Sequence, residues 1–278
     1  MWRRFLVVLI VQCAAQTAAI GQSRTVEDDQ QLINWYYAAT FGTGIYSAGD
    51  RTVGVLQAPV SYTMREASEE QWGLRLTLPV SVGFYDFDFD DIIEDGIPGR
   101  INTFSIMPGI EFRREVLPSW DLRPYVSVGG GWELGGDESA LIYDTGIRSR
   151  YRFREGERTS MSLVNRLSVA GFDPSGGSHE PLGLFAIGID FEIPTGGRIF
   201  DRAIGVSIIP AYYYYFSRLD FAEITDPDNK VREEVELLVS LLAKDPFKIL
   251  GINVDRLGIA VRGNQDVSGF RIFTSLPF

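Results

Sequence analysis

Cysteine and histidine are almost missing from this chain of 278 residues, which has one of each, Cys13 and His179. Cys13 falls inside the N-terminal leader described below, so the mature chain carries no thiol, which excludes disulfides and cysteine chemistry. Lipid attachment at Cys13 is excluded as well, because Gln12 stands before it where a small residue is needed. An excess of positive charge is also missing. With 26 basic against 37 acidic residues and a formal charge of −11, the chain lacks the basic surface that displaces counterions from nucleic acid. No apolar run reaches the ~18–20 residues of a membrane-spanning helix, and the N-terminal stretch falls short of it. Mean hydropathy is near zero, as in a soluble protein. A transmembrane β-barrel escapes that test because its apolar residues alternate with polar ones. Low-complexity segments, domain-linker composition and repeats beyond a hairpin rhythm are absent.

What is present is alternation. Leu141–Arg154, LIYDTGIRSRYRFR, sets Leu141, Tyr143, Thr145, Ile147, Ser149, Tyr151 and Phe153 on one face. Ile142, Asp144, Gly146, Arg148, Arg150, Arg152 and Arg154 fall on the other. A period of two is a strand whose side chains point to opposite sides of a sheet. In a soluble sandwich the charges would meet bulk water; in a barrel the apolar face would meet lipid and the charges a wet lumen. The chain ends favour the barrel. Met1–Gln22 has the layout of a secretory signal, with Arg3 and Arg4, the apolar Phe5–Val11, then small residues. Ala19 and Gly21 suit the −3 and −1 positions of a cleavage before Gln22, and a cut after Ala19 also fits. Gly269–Phe278, GFRIFTSLPF, places Phe270, Ile272, Thr274, Leu276 and Phe278 on one face and ends on an aromatic carboxyl terminus. That pattern resembles the signature by which outer-membrane barrels are recognised for insertion.

The expected organisation is a signal peptide over residues 1–22, a short arm or lumen plug over 23–34, and a closed antiparallel transmembrane β-barrel over 35–278. Thr25 followed by Asp28 is able to cap a short helix in the arm. Strands are expected at Trp35–Tyr46, Thr52–Met64, Trp72–Tyr85, Ile101–Arg113, Trp120–Leu134, Ala140–Arg154, Thr159–Phe172, Gly183–Ile193, Arg202–Phe216, Glu233–Lys244, Arg256–Arg262 and Ser268–Phe278. The fold class is all-β, with about 12 strands, and an even count puts both termini at the periplasmic end. Trp35, Trp72 and Trp120 then begin odd-numbered strands at that interface, where aromatic girdles form. The connections assigned to the outside, Asp86–Gly99, Asp173–Pro181 and Arg218–Lys230, are mostly the longer ones. Pro59, Pro79, Pro108, Pro124 and Pro210 pull the other way, since each should mark a bulge or lose a ladder hydrogen bond. A two-sheet periplasmic sandwich would hold some of them better.

These signatures resemble the solitary autotransporter-like outer-membrane β-barrel domains. The stretches that carry the resemblance are NWYYAATFGTGIY, WGLRLTLPVSVGFYDFDFD, PYVSVGGGWE, SALIYDTGIRSRYRF, PAYYYYFSRLDF and the closing strand, and they span nearly all the mature chain. The resemblance implies a twelve-stranded barrel without a secreted passenger, placed in the bacterial outer membrane. Its expected partners are membrane lipid, lipopolysaccharide and the barrel assembly machinery, with small ions or solutes as candidate cargo.

The inward positions are heavily ionic. Arg75, Arg113, Arg123, Arg148, Arg150, Arg152 and Arg166 lie on the earlier strands, and Arg256, Arg262 and Arg271 on the last two. The acids are Glu111, Glu133, Asp144, Asp190, Glu192, Glu234 and Glu236, and by strand order the basic residues cluster on the fourth to seventh strands and the acidic ones on the eighth to tenth. Two readings stay open: a lumen with a transverse field that orients permeating solutes, or a small barrel filled by ion pairs and water. No motif calls for a cofactor. The acidic stretch Asp86, Asp88, Asp90, Asp91, Glu94 and Asp95 is not an EF-hand, because Asp91 and Ile97 occupy the positions that need Gly and Glu. A looser divalent-cation site there is the weak alternative to a solvated loop. His179, beside Ser178 and Glu180, is the one candidate base for an outer-membrane hydrolase. It sits in a Gly/Ser-rich loop, and no G-x-S-x-G elbow exists. The leading function is therefore a non-enzymatic barrel, either a narrow passive pore or a structural surface barrel, with the hydrolase as alternative. Gly129–Gly131 leaves room in the lumen for a plug or relieves curvature, and Tyr212–Phe216 reads as an interfacial girdle.

Overall fold

The computed structural model describes residues 42–48, 51–68, 70–85, 102–135, 139–174, 180–219, 231–249, 252–264 and 267–278. Among them every regular element is a strand. In chain order these are β1 (Gly44–Ala48), β2 (Arg51–Arg65), β3 (Gly73–Tyr85), β4 (Thr103–Ile106), β5 (Gly109–Leu117), β6 (Trp120–Glu133) and β7 (Ser139–Arg154). There follow β8 (Ser160–Pro174), β9 (Glu180–Ile199), β10 (Arg202–Leu219), β11 (Val231–Ile249), β12 (Ile252–Gly263) and β13 (Val267–Phe273). Each pairs antiparallel with its neighbours, and β1 pairs with both β2 and β13, so the sheet closes on itself without an edge. β4 and β5 are two halves of one stave, both lying between β3 and β6. The result is a closed antiparallel barrel of twelve staves. Closure matters in lipid, where an unpaired strand edge has no water to bond.

Alternation sorts the faces as the sequence pattern requires. Leu76, Leu78, Val126, Val128, Ile147, Leu167, Leu237, Val239 and Ile259 are exposed on the outer wall, while charged and small residues turn inward. Phe84 departs from its row, being buried although its parity is outward. Both barrel ends carry aromatics. Short connections gather at one end, here the turn end, where Trp72, Tyr151 and Phe153 are exposed and Trp120 Nε1 donates to Ser149 Oγ at 2.9 Å. At the opposite loop end Trp132 stacks on Phe104. Trp35 and the rest of the expected first strand through Phe41 lie outside the described residues, as do residues 1–34.

The prolines are held without any slip in register. Pro59 stands opposite Pro79, Pro124 opposite Ile147 and Pro210 opposite Leu237. Pro108 interrupts hydrogen bonding between β4 and β5 and leaves the pairing with β6 in phase on both sides. Register shifts fall elsewhere, at Thr63/Arg65, Glu115/Leu117, Arg152/Arg154, Ala203/Gly205 and Leu242/Phe247, near the turn end, and at Tyr214/Leu219. Of the two outcomes expected at each proline, a bulge or a lost ladder hydrogen bond, these positions take the second, since proline has no N–H to give. The stretch Pro194–Asp201, expected as a link, continues β9 to Ile199 and turns tightly through Phe200 and Asp201, both at positive φ. Two consecutive positive φ values are the mark of a two-residue hairpin whose twist matches the strands.

Candidate functional site

The lumen is where the chemistry-bearing side chains converge, and it has two levels. At the waist, four arginines are each buried against a carboxylate that also accepts a hydrogen bond from a hydroxyl. Arg166 on β8 places Nη2 2.8 Å from Asp144 of β7, and its Nε donates to Tyr125 Oη of β6 at 2.9 Å. Tyr125 in turn donates to Asp144 at 3.0 Å, closing the triad. Arg256 on β12 approaches Asp190 of β9 at 3.4 Å, and Ser207 of β10 donates to the same carboxylate at 2.6 Å. Arg262 bonds Glu234 directly and donates to Tyr215 Oη at 2.7 Å, while Tyr215 donates to Glu234 at 2.5 Å. Arg271 lies 2.6 Å from Glu236, which also accepts from Tyr213.

These four arginine side chains are 7% exposed or less. Each triad ties together three strands, so the ion pairs act as struts across the inner wall. A buried charge without its partner costs several kcal/mol. Each carboxylate also accepts from a hydroxyl, and Asp190 and Arg256 are linked further, to Arg150 and Glu192 at 3.6 Å each, so the buried charges offset one another.

Apolar side chains fill the rest of the waist and the loop-end half. Tyr46, Val55, Ile142, Val164, Leu184, Ile209 and Leu238 are essentially sealed from solvent. The carboxyl terminus joins them. β13 ends at Phe273, and the tail folds back so that Phe278, 3% exposed, lies 6.1 Å from the Tyr213 ring, with Leu276 packed on the same cluster. The expected outward row ending in Phe278 therefore holds only through Ile272. Beyond Phe273 the segment leaves the sheet, and strand parity no longer governs it.

Toward the turn end the inner wall opens. Arg75, Arg113, Arg123 and Arg148 have side chains between 20% and 26% exposed. Glu111 serves three of them, at 2.9 Å from Arg113, 3.0 Å from Arg148 and 3.9 Å from Arg75. Arg123 is held by Asp121 at 2.5 Å. Arg148 lies over the Tyr125 ring at 4.0 Å, a cation–π contact that orients its guanidinium. Beside them Arg150 pairs with Glu192 at 2.7 Å, and Arg152 with Glu155 at 3.7 Å on the rim.

All the arginines and acids expected to line the lumen do lie on the inward rows, and Glu133 shares theirs, near the loop end. Arg256, Arg262 and Arg271 reach the acids of β9 and β11 and pair with them locally, the arrangement of the ion-pair reading of the lumen. The girdle reading of Tyr212–Phe216 is corrected by half. Phe216 and Tyr212 face outward, whereas Tyr213 and Tyr215 are lumen groups bound to Glu236 and Glu234. Asp121, Tyr125, Tyr213, Tyr215 and Ser207 escaped the sequence reading, although each stands two residues from an inward position on its strand.

Gly129 has a cause that spacing did not reveal. A Cβ there would overlap the Ile106 carbonyl oxygen and approach Met107 Cα at 2.7 Å, so the kink before Pro108 needs a bare backbone beside it. The acidic stretch Asp86–Asp95 and His179 lie outside the described residues.

No protein-family model matches the sequence, and no curated protein does. Among solved structures, the β domain of the Bordetella autotransporter BrkA matches with a TM-score of 0.54 and 11% identity, over 82% of this chain and 93% of that one. The NanC porin matches with a TM-score of 0.39 and 9% identity, over 84% and 97%. The KdgM porin, in complex with disordered oligogalacturonate, gives 0.36 and 9%, over 82% and 93%. At such identities the likeness is one of fold. In fold, this chain is a closed antiparallel β-barrel similar to an autotransporter β domain.

Proposed function

We propose that the chain is a non-enzymatic integral barrel of the bacterial outer membrane, with its turn end toward the periplasm, and that it serves as a structural surface barrel rather than an open passive pore. The observation that carries this reading is the sealed waist. Four arginine–carboxylate–hydroxyl triads and a cluster of apolar side chains, with Phe278 among them, fill the lumen from within. A conducting lumen needs a continuous wet path lined by groups that release the ion again. Here the charges are spent on one another. The outward apolar rows and the aromatics at both ends supply the lipid-facing surface.

Single-channel recording of the refolded barrel in a planar bilayer tests the reading. Silent membranes containing protein that migrates as a folded barrel are the expected result. Steady, uniform conductance steps would overturn the sealed waist in favour of the pore.

A further inference from the structure

The turn-end vestibule differs from the waist in its stoichiometry. Arg113 and Arg123 fall between the paired residues Glu111–Tyr125 and Arg114–Leu122, so they stand opposite each other on β5 and β6. Arg123 pairs in register with Arg148 on β7, and Arg148 with Arg166 on β8. Four inward arginines therefore follow one another across four adjacent strands, at the ~4.7–4.9 Å spacing of a sheet. Like charges directly opposite on neighbouring strands destabilise a sheet unless something neutralises them.

Arg166 is neutralised by Asp144. The remaining three, with Arg75 beside them, share only Glu111 and Asp121 at ion-pair distance among the described residues. Four cations thus face two anions. Asp255 on β12 adds its field at Arg75 and Arg123 from farther off and forms no ion pair with either. A guanidinium has five donors, and the bonds to Glu111, Asp121 and Ser61 use few of them. Arg75 Nε is shielded from solvent and has no hydrogen-bond partner among the described residues. The four side chains as wholes are 20% to 26% exposed, so guanidinium donors other than that buried Nε are open to solvent.

We propose that this vestibule is a binding site for a small multivalent oxyanion, bearing phosphate or carboxylate groups, that enters from the turn end and is cradled by Arg75, Arg113, Arg123 and Arg148. Planar guanidinium forks suit such groups, because each presents two parallel N–H donors to two oxygens. Two anionic centres set about 5 Å apart would match the repeat of the arginine row. The site is a dead end, closed above by the Arg166–Asp144–Tyr125 triad. Occupancy would complete the charge balance that the chain leaves unfinished. The proposal rests on the barrel and sealed-waist reading above.

Calorimetric titration of inorganic pyrophosphate into the refolded barrel at low ionic strength tests it, with the unboiled and boiled forms compared on a denaturing gel. One saturable site per barrel is expected. The pair Arg123→Gln and Arg148→Gln should raise Kd at least tenfold, and Arg148→Lys alone should raise it several-fold while keeping the charge. Arg198→Gln, an exposed arginine in the β9–β10 hairpin, should change Kd less than twofold. The site is refuted if folded wild-type protein binds no pyrophosphate at millimolar concentration, if the Gln pair and Arg148→Lys bind as tightly as wild type, or if Arg198→Gln weakens binding as much as they do. Absence of a folded, heat-modifiable band in the wild-type protein would instead sink the barrel reading itself.

Discussion

The Arg166–Asp144–Tyr125 triad offers the sharpest test of how the lumen is held. Arg166 and Asp144 stand 2.8 Å apart with both side chains 7% exposed. At an effective dielectric of about 20, unit charges roughly 4 Å apart attract by about 4 kcal/mol, and breaking such a pair from one side costs about 3–5 kcal/mol. Arg166→Met leaves Asp144 buried with only the Tyr125 hydroxyl, 3.0 Å away, to stabilise it. Asp144→Leu leaves the Arg166 guanidinium with the Tyr125 oxygen, at 2.9 Å, as its nearest anchor. Tyr125 cushions each loss, so we expect the lower part of that range, about 3 kcal/mol, for either single variant. The double variant removes both charges together. It should cost no more than about 1 kcal/mol, since an apolar replacement of a buried pair is often neutral or better. Additive singles would give about 6 kcal/mol, so the coupling is about 5 kcal/mol. Urea unfolding of the barrel in lipid vesicles, followed by tryptophan fluorescence and by gel mobility, supplies all three values. A double variant whose loss equals the sum of the singles within about 0.5 kcal/mol would refute the triad as a neutralising unit.

Ile147, outward and exposed, and Arg148, inward and paired with Glu111, separate the two faces of β7. Ile147→Arg should cost about 2–4 kcal/mol at mid-depth in a lipid bilayer. Arg148→Ile should cost clearly less, because Glu111 keeps Arg113 at 2.9 Å; equal costs in the same unfolding assay would mean the faces are reversed. Gly129→Ala should cost about 1–3 kcal/mol or more by overpacking, because the Ile106 carbonyl and Met107 are backbone and have little room to yield. Gly156→Ala, which meets only the Thr159 carbonyl at 3.1 Å, serves as the mild comparison. A tag inserted between Gly176 and Ser178 should be accessible on intact cells, and one at Glu155–Gly156 only after the outer membrane is permeabilised. The opposite pattern would invert the barrel.

The sequence by itself determined the barrel, because a period of two is a local property. Each strand of Leu141–Arg154 type declares its two faces with no knowledge of its neighbours, and twelve such segments with paired ends leave few ways to close. Register followed less directly. Connections such as Leu117–Trp120 and the Phe200–Asp201 turn are tight, yet a register shift adjoins each, at Glu115/Leu117 and Ala203/Gly205, whereas the five strand prolines sit in long ladders that pass them without a slip. The lumen's lining was legible for the same reason as the strands: Arg148, Asp190 and the other inward charges are read from parity alone. Their pairing was not. Arg256 is 66 residues from Asp190, and Arg271 is 35 from Glu236. Consecutive hairpins β9 to β13, paired side by side on a curved wall, bring those residues to ion-pair range, which strand order alone does not reveal. The same holds for Tyr213 and Tyr215, which alternation places inward but only Glu236 and Glu234 make essential, and for Gly129, whose missing side chain answers a kink on another strand. Phe278 marks the limit most plainly. A β-period assigns a face only while the chain stays in the sheet, and where β13 stops, burial of an aromatic ring against the lumen cluster decides the position instead.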